Sequence, residues 1–234
     1  MTSQQREDRC PPETVNLLAG DISLDFANTA EWHAGPSPEE RLISYSKAVA
    51  WSQHAGILSD AQVRSLLARA RARPAQEGEA LGRVIALREA VYRIFAGVGH
   101  HRSADPADLQ ILNAELTEAL AHLRLVASPR TAATGEASGE PGDLQQFAWT
   151  WTGVEDHLTS FLWPVARAAA LLLTSPQLTR VRECAGDPCG WLFLDLSRNG
   201  SRRWCDMADC GYRAKARRYR ARRKGDLGVG QASE

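Results

Sequence analysis

The stretch that decides the architecture is CAGDPCGWLFLDLSRNGSRRWCDMADCGYRAKARRYRARRK, residues 184–224. It holds two cysteine pairs of equal spacing, Cys184-x4-Cys189 and Cys205-x4-Cys210, and the second pair opens directly into a basic tract. Structural zinc takes four ligands in a tetrahedron, delivered as two tight knuckles, and thiolates are its preferred donors. Gly186 and Pro188 supply the turn residues that the first knuckle needs. Four protein thiolates leave no position for a water, so the expected cofactor is one structural Zn2+ held by Cys184, Cys189, Cys205 and Cys210. A module of about forty residues buries too little apolar surface to fold unaided, and the metal supplies much of its stability.

Between the pairs, WLFLDL alternates Trp191, Phe193 and Asp195 against Leu192, Leu194 and Leu196, which is strand spacing. Asn199-Gly200 is a hairpin-turn signal, so the expectation is a hairpin returning through residues 201–204. Knuckle, hairpin, knuckle and helix make a treble-clef-like finger. On a helical wheel of the last element, Tyr212, Ala216 and Tyr219 share one face. Arg213, Arg217, Arg220 and Lys224 share a second, and Lys215, Arg218 and Arg222 a third. The simplest placement packs the tyrosines on the hairpin and turns Ala214 and Ala221 outward between two basic stripes. Arginine forks onto phosphate oxygens, so the expected nucleic-acid-binding set is Arg198, Arg202, Arg203, Arg213, Lys215, Arg217, Arg218, Arg220, Arg222, Arg223 and Lys224.

Composition supports this polarity. The chain has 234 residues with 28 Lys/Arg and 28 Asp/Glu, a formal charge of zero. Residues 180–225 alone carry thirteen Lys/Arg against five Asp/Glu, a surplus of +8 that the remainder offsets with −8. One end attracts polyanions while the other repels them. Only three of the basic residues are Lys, and Ala is abundant, as GC-rich bacterial coding favours. The first thirteen residues lack an apolar core of the secretory kind, and the longest apolar run, 165–173, is broken by Arg167 and too short to span a bilayer. A cytoplasmic protein without membrane contact is expected, in which paired cysteines hold metal instead of forming disulfides.

Upstream, the pattern is helical. Residues 39–55, 61–72, 77–98, 106–123 and 154–174 show apolar residues at three- and four-residue steps, with Ser59 and Asp105-Pro106 as start signals and Pro164 as a bend or second start. QQFAWTW at 145–151 alternates like a strand and pairs with 122–127 across a Gly/Ser/Pro-rich loop at 128–143. Trp149, Trp151 and Trp163 are expected in the core. The fold class is therefore mainly α with a small β-hairpin: a disordered start at 1–13, a helical domain at 14–177, the finger with its basic helix at 178–226, and a disordered tail at 227–234. Asp25, Asn28, Thr29 and Arg41 form a polar cluster that is a candidate effector site, although ordinary capping and turn hydrogen bonding is the favoured account of Asp, Asn and Thr here. No serine-hydrolase, Walker, dinucleotide or zinc-protease motif occurs, and no catalytic residue is expected.

Residues 184–223 closely resemble the CGNR zinc finger, named for a Cys-Gly-Asn-Arg tetrapeptide at its fourth ligand. Here the tetrapeptide is Cys210-Gly211-Tyr212-Arg213, with Tyr212 at the Asn position. The body resembles the ABATE domain through LDFANT at 24–29, the Trp51 helix leading to Gly56-Ile57-Leu58, LREAVYRIF at 87–95 and FLWPVARAAALLLTSP at 161–176. The resemblance implies a stress-induced bacterial transcription regulator that binds DNA, with the body sensing an effector or forming a homodimer. RNA or an acidic protein is the alternative partner for the basic finger.

Overall fold

Start signals in the sequence place most of the helices in the computed structural model, which describes residues 16–127 and 146–229, with side chains through Arg222. Asp21 caps α1 (Ile22–Ala27) by accepting from Ser23 N. Two short strands follow, β1 (Ala30–Glu31) and β2 (Glu39–Glu40), paired antiparallel. Ser44 caps α2 (Tyr45–His54). Ser59 and Gln62 form a reciprocal capping box on α3 (Asp60–Ala72), satisfying backbone donors that a bare helix start leaves open. Proline opens both α4 (Pro74–Gly99) and α5 (Pro106–His122), where its missing N–H costs nothing. After α6 (Leu162–Leu173) come β5 (Val181–Glu183), β6 (Leu192–Leu194) and α7 (Tyr212–Val229). Pro164 stands in the first turn of α6 and marks a start, while Val154–Asp156 forms a separate short 3-10 turn.

The core gathers around α1 and α4. Leu24 and Phe26 are fully buried, as are Val84, Leu87, Val91 and Phe95, with Leu162, Val165 and Ala169 of α6 against them. Trp51 meets Phe26 with ring centroids 5.3 Å apart. Val181, Leu192 and Leu194 belong to the same buried cluster, so β5 and β6 are packed into the helical body. Arg88, on the apolar side of α4, is 3% exposed and forks onto Glu40 at 2.6 Å twice, while also reaching Glu89. A buried guanidinium requires such pairing, and this one ties β2 to α4.

The helical body with a hairpin agrees with the sequence reading, and β3 (Leu123–Ala127) pairs β4 (Phe147–Trp151) as expected. Three expectations need correction. Residues 39–44 are strand and loop, because Glu39 and Glu40 pair back onto β1. The finger's hairpin does not return through 201–204: β6 pairs with β5, so the first knuckle lies inside the hairpin, and 201–204 runs without strand pairing. Trp163 is buried and stacks on His122 at 4.2 Å, but Trp151 is half-buried and Trp149 is 58% exposed with the Arg167 guanidinium over its ring. Leu125 and Phe147 of the ribbon are exposed as well, so much of its apolar surface is left uncovered among the described residues.

The helix α7 continues to Val229, beyond the expected boundary at 226. Of the disordered tail expected at 227–234, residues 227–229 belong to α7, and residues 230–234 lie outside the described residues together with the expected disorder at 1–13 and the loop at 128–143. Among the described residues no helix is long and apolar enough to cross a membrane.

Candidate metal centre and nucleic-acid interface

β5 delivers Cys184 at its end, and the antiparallel return into β6 fixes Cys189 opposite, with Cys184 N donating to Trp191 O at 2.8 Å. Gly186 lies in this turn where a side chain would meet the Cys210 and Cys184 sulfurs, since its added Cβ would stand 3.1 and 3.3 Å from them. The second knuckle starts from Arg202. Its backbone N–H donates to buried Asp195 at 3.0 Å, its guanidinium stacks over Phe193 at 4.3 Å, and the same group donates to the carbonyls of Cys205 and Trp204. Asp206 then accepts from Ala208 N and begins a widened π-type turn, Met207–Gly211, that presents Cys210 and leads into α7.

All four Sγ atoms lie within 4.8 Å of one another, with Cys189 to Cys205 at 3.7 Å and Cys205 to Cys210 at 3.6 Å. A tetrahedron with Zn–S bonds of about 2.3 Å has edges of about 3.8 Å, so the cluster has the dimensions of a tetrathiolate zinc site. Donors point at the sulfurs as they do at thiolates: the backbone N–H groups of Gly186 and Cys205 at 3.4 and 3.3 Å from Cys184, and the Arg213 guanidinium at 3.0 Å from Cys210. Without a cation Cys184, Cys189 and Cys205 conflict. Hydrogen bonds from Cys189 and Cys205 pull the Cys184 thiol down, and the same contacts push Cys189 and Cys205 up. A divalent ion at the centre resolves this by holding every sulfur as thiolate. The donor set fits one zinc ion, whose chemistry here is structural crosslinking.

The finger is seated on the body by a small number of close contacts. Asn28 is buried and acts as a strand neighbour to β6: its Nδ2 donates to Leu192 O at 2.9 Å, and Leu192 N donates to its Oδ1 at 2.8 Å. Leu194 N donates to Ala19 O at 2.7 Å. Gly190, at φ +71°, follows the ligand Cys189 and brings the chain so near the body that an added Cβ would lie 2.5 Å from Ala34 N. Only glycine satisfies both the left-handed backbone and this approach.

This geometry separates the residues of the candidate effector cluster. Asn28 is spent on β6, Thr29 donates to Phe26 O, and Asp25 accepts from Ala19 N at 3.0 Å. None of the three lines the cleft between body and finger. Arg41 does: it pairs with Glu31 on the wall of a cleft of about 280 Å3 between body and finger, shared with Trp32, Asp209 and Arg213. Trp32 has φ 59°, a left-handed conformation that costs a bulky residue about 1–3 kcal/mol. No local pattern marks Trp32 as the partner of Arg213, 181 positions away.

Burial pushes the Asp25 carboxyl up to about 6, against the lowering effect of backbone N–H groups at Ala19 and Leu18. A carboxyl raised in this way favours folding while protonated. Its contribution is full below the unfolded value of about 4 and is lost as pH rises through about 6. Asp25→Asn should therefore flatten the decline in stability between about pH 4 and 6, by about 2–3 kcal/mol at most. Urea unfolding at several pH values measures it, and an unchanged slope in that window would count against the assignment.

The basic helix presents a different face from the one the wheel suggested. Tyr212 is 69% and Tyr219 63% exposed, so the tyrosines do not pack on the hairpin. The reason is that Arg213 and Arg217 occupy the inward side: Arg213 stacks over Trp32 at 4.8 Å and pairs with Asp209 at 3.0 Å, and Arg217 donates to Asp187 O at 2.7 Å. Of the expected nucleic-acid set, Arg202, Arg213 and Arg217 thus make contacts within the protein. Arg198, Arg203, Lys215, Arg218, Arg220 and Arg222 are exposed. The side chains of Arg223 and Lys224 lie outside the described residues.

Comparison with known families agrees with this arrangement. The ABATE family model, described as "Putative stress-induced transcription regulator", matches residues 20–176. The chain belongs to the ABATE family. Its finger is matched separately, over residues 180–223, by the model described as CGNR zinc finger. That match includes all four clustered cysteines. No curated protein sequence matches the chain. In this ABATE protein the residue at the finger's name position, Tyr212, is turned to solvent beside Lys215 and Tyr219.

Proposed function

We propose that this ABATE protein is a bacterial, cytoplasmic DNA-binding regulator of stress-response transcription. Its finger contacts the duplex through the outer face of α7, and its body serves effector sensing or dimerisation. The observation that carries the reading is the position of Lys215, Arg218 and Arg222 beside Tyr212 and Tyr219 on the exposed side of a helix that starts at the metal cluster. A basic surface anchored at one end contacts phosphates in a fixed register, which a loose charged tail does not. On this reading the protein is a binder, and its zinc takes no part in catalysis, since four thiolates leave the ion no open position for a substrate. A single finger reads few bases, so sequence-specific binding calls for a homodimer across two half-sites. Exposed Leu125, Phe147 and Trp149 on the β3–β4 ribbon support the dimer role for the body.

The zinc-loaded protein is expected to bind duplex DNA with a logarithmic affinity that falls linearly with the logarithm of salt concentration. Replacing Lys215, Arg218 and Arg222 together by alanine should reduce that slope by about three, roughly one per phosphate contact. Arg217→Ala should change it less, because Arg217 already holds Asp187. Fluorescence anisotropy at several salt concentrations reads both. A triple variant with the parental slope would sink the proposed interface.

The two exposed tyrosines favour one other reading, an RNA-binding module, because unpaired bases stack on aromatic side chains. Competition between duplex DNA and single-stranded RNA at one salt concentration separates the two.

A further inference from the structure

The cleft between body and finger has the shape and charge of a site for a small organic cation. Its volume of about 280 Å3 is near the lower end of small-molecule pockets, and it lies at an interdomain junction, where such sites concentrate. Trp32 forms an aromatic wall and is held at φ 59°, in the sparsely populated backbone region that clusters at ligand clamps. Three carboxylates, of Glu31, Asp206 and Asp209, line the cleft against two guanidinium groups, of Arg41 and Arg213. Cys189 and Cys205 also reach it, and four thiolates around a divalent ion leave a double negative charge. An anionic ligand is repelled from such a place, and a cation is attracted.

The protein supplies its own example of what fits. The Arg213 guanidinium sits over Trp32 at 4.8 Å, 3.0 Å from an Asp209 oxygen and 3.0 Å from the Cys210 sulfur. Aromatic face on one side and anions on the other is how proteins recognise guanidinium and ammonium groups. Arg213 is also 39% exposed at its side chain and stands at the first turn of the basic helix, so it has solvent to move into.

We infer that this cleft binds a small alkyl guanidine or amine in exchange with the Arg213 side chain. The ligand's cationic head takes the place over Trp32 and beside Asp209, and Arg213 swings out to join the exposed basic face of α7. The binding step stands on the cleft alone. Its consequence, a change in nucleic-acid affinity, rests on the function proposed above. Ligand and duplex then change each other's affinity by the same factor.

Isothermal titration of the full-length, zinc-loaded protein with agmatine and with putrescine, in the absence of nucleic acid, tests the site. One-to-one binding of at least one of them is expected, with none by the dianion glutarate. Trp32→Ala and Asp209→Asn should each weaken it at least tenfold, with zinc content and unfolding midpoint measured alongside. Arg213→Ala should strengthen it several-fold, because an internal competitor that lowers the fraction of open sites has been removed. That gain of affinity is a result that a damaged fold does not produce. No binding of either cation up to millimolar concentration overturns the inference. So does equal binding by glutarate, unchanged binding in Trp32→Ala, or weaker binding in Arg213→Ala. A duplex titration with and without agmatine then reads the coupling: a protein that binds agmatine but no duplex leaves the cleft standing and removes the nucleic-acid reading.

Discussion

Replacing Cys205 by Ser is expected to abolish the bound zinc, from one ion per chain to near zero, and to unfold the finger while the helical body stays folded. The magnitudes decide that the outcome is unfolding and not a local distortion. Metal binding contributes about 10–16 kcal/mol in isolated zinc fingers, as much as the whole stability of an ordinary domain, about 5–15 kcal/mol. Among the described residues only Phe193, Trp191 and Trp204 are packed around the cysteines as apolar support, too little to hold two knuckles together. The body has its own reserve in α1, α4 and α6, yet it loses the buried side chains of Val181, Leu192 and Leu194 when the hairpin frays. A lowered but still cooperative unfolding transition is therefore expected for it. Metal analysis, near-ultraviolet circular dichroism and limited proteolysis across 184–222 check the three parts. A strong chelator should reproduce the variant's behaviour in the parental protein. Retention of one zinc ion with an unaltered transition would refute the tetrathiolate assignment.

The parts of this structure that the sequence made legible are those with short-range causes. The cysteine spacing, the Ser59 cap of α3, the Asp105-Pro106 start of α5 and the alternation of 147–151 each act within a few residues, and each appears where expected. The finger's hairpin was misread because Asn199-Gly200 is a strong local turn signal, whereas the real pairing of Val181 with Leu194 is enforced from outside, by burial in the body and by Asn28. In the structure Asn199 and Gly200 still form a turn, but Asp195 closes it by accepting from Ser197 N and Arg202 N, and no strand follows. The wheel of α7 gave its stripes correctly and its orientation wrongly. Orientation depends on Trp32 and Asp187 meeting Arg213 and Arg217, partners that helical periodicity does not reveal. The same limit applies to the candidate effector cluster, whose members lie close in sequence and serve different neighbours in space.

Asn28 shows how much can rest on one such long-range contact, and Asn28→Ala is expected to cost about 2–5 kcal/mol. The side chain is 1% exposed and completes both hydrogen bonds of Leu192, a residue 164 positions away. Truncation leaves one N–H and one C=O in a dry site, and each buried unsatisfied group costs about 1–3 kcal/mol. Asn28→Asp does not repair the loss, because a carboxylate accepts from Leu192 N but faces Leu192 O without a donor. Thr29→Val, which removes only the bond to Phe26 O three residues back, should cost less than either. Because no zinc ligand is touched, the alanine variant should keep one zinc ion per chain while the Leu192 amide loses its protection from hydrogen exchange. That combination distinguishes a finger loosened from its seat from a finger that has lost its metal. If urea unfolding of Asn28→Ala lies within about 0.5 kcal/mol of the parent, the range of an innocuous surface change, and Leu192 stays protected, then the body holds β6 through Ala19 and apolar packing alone.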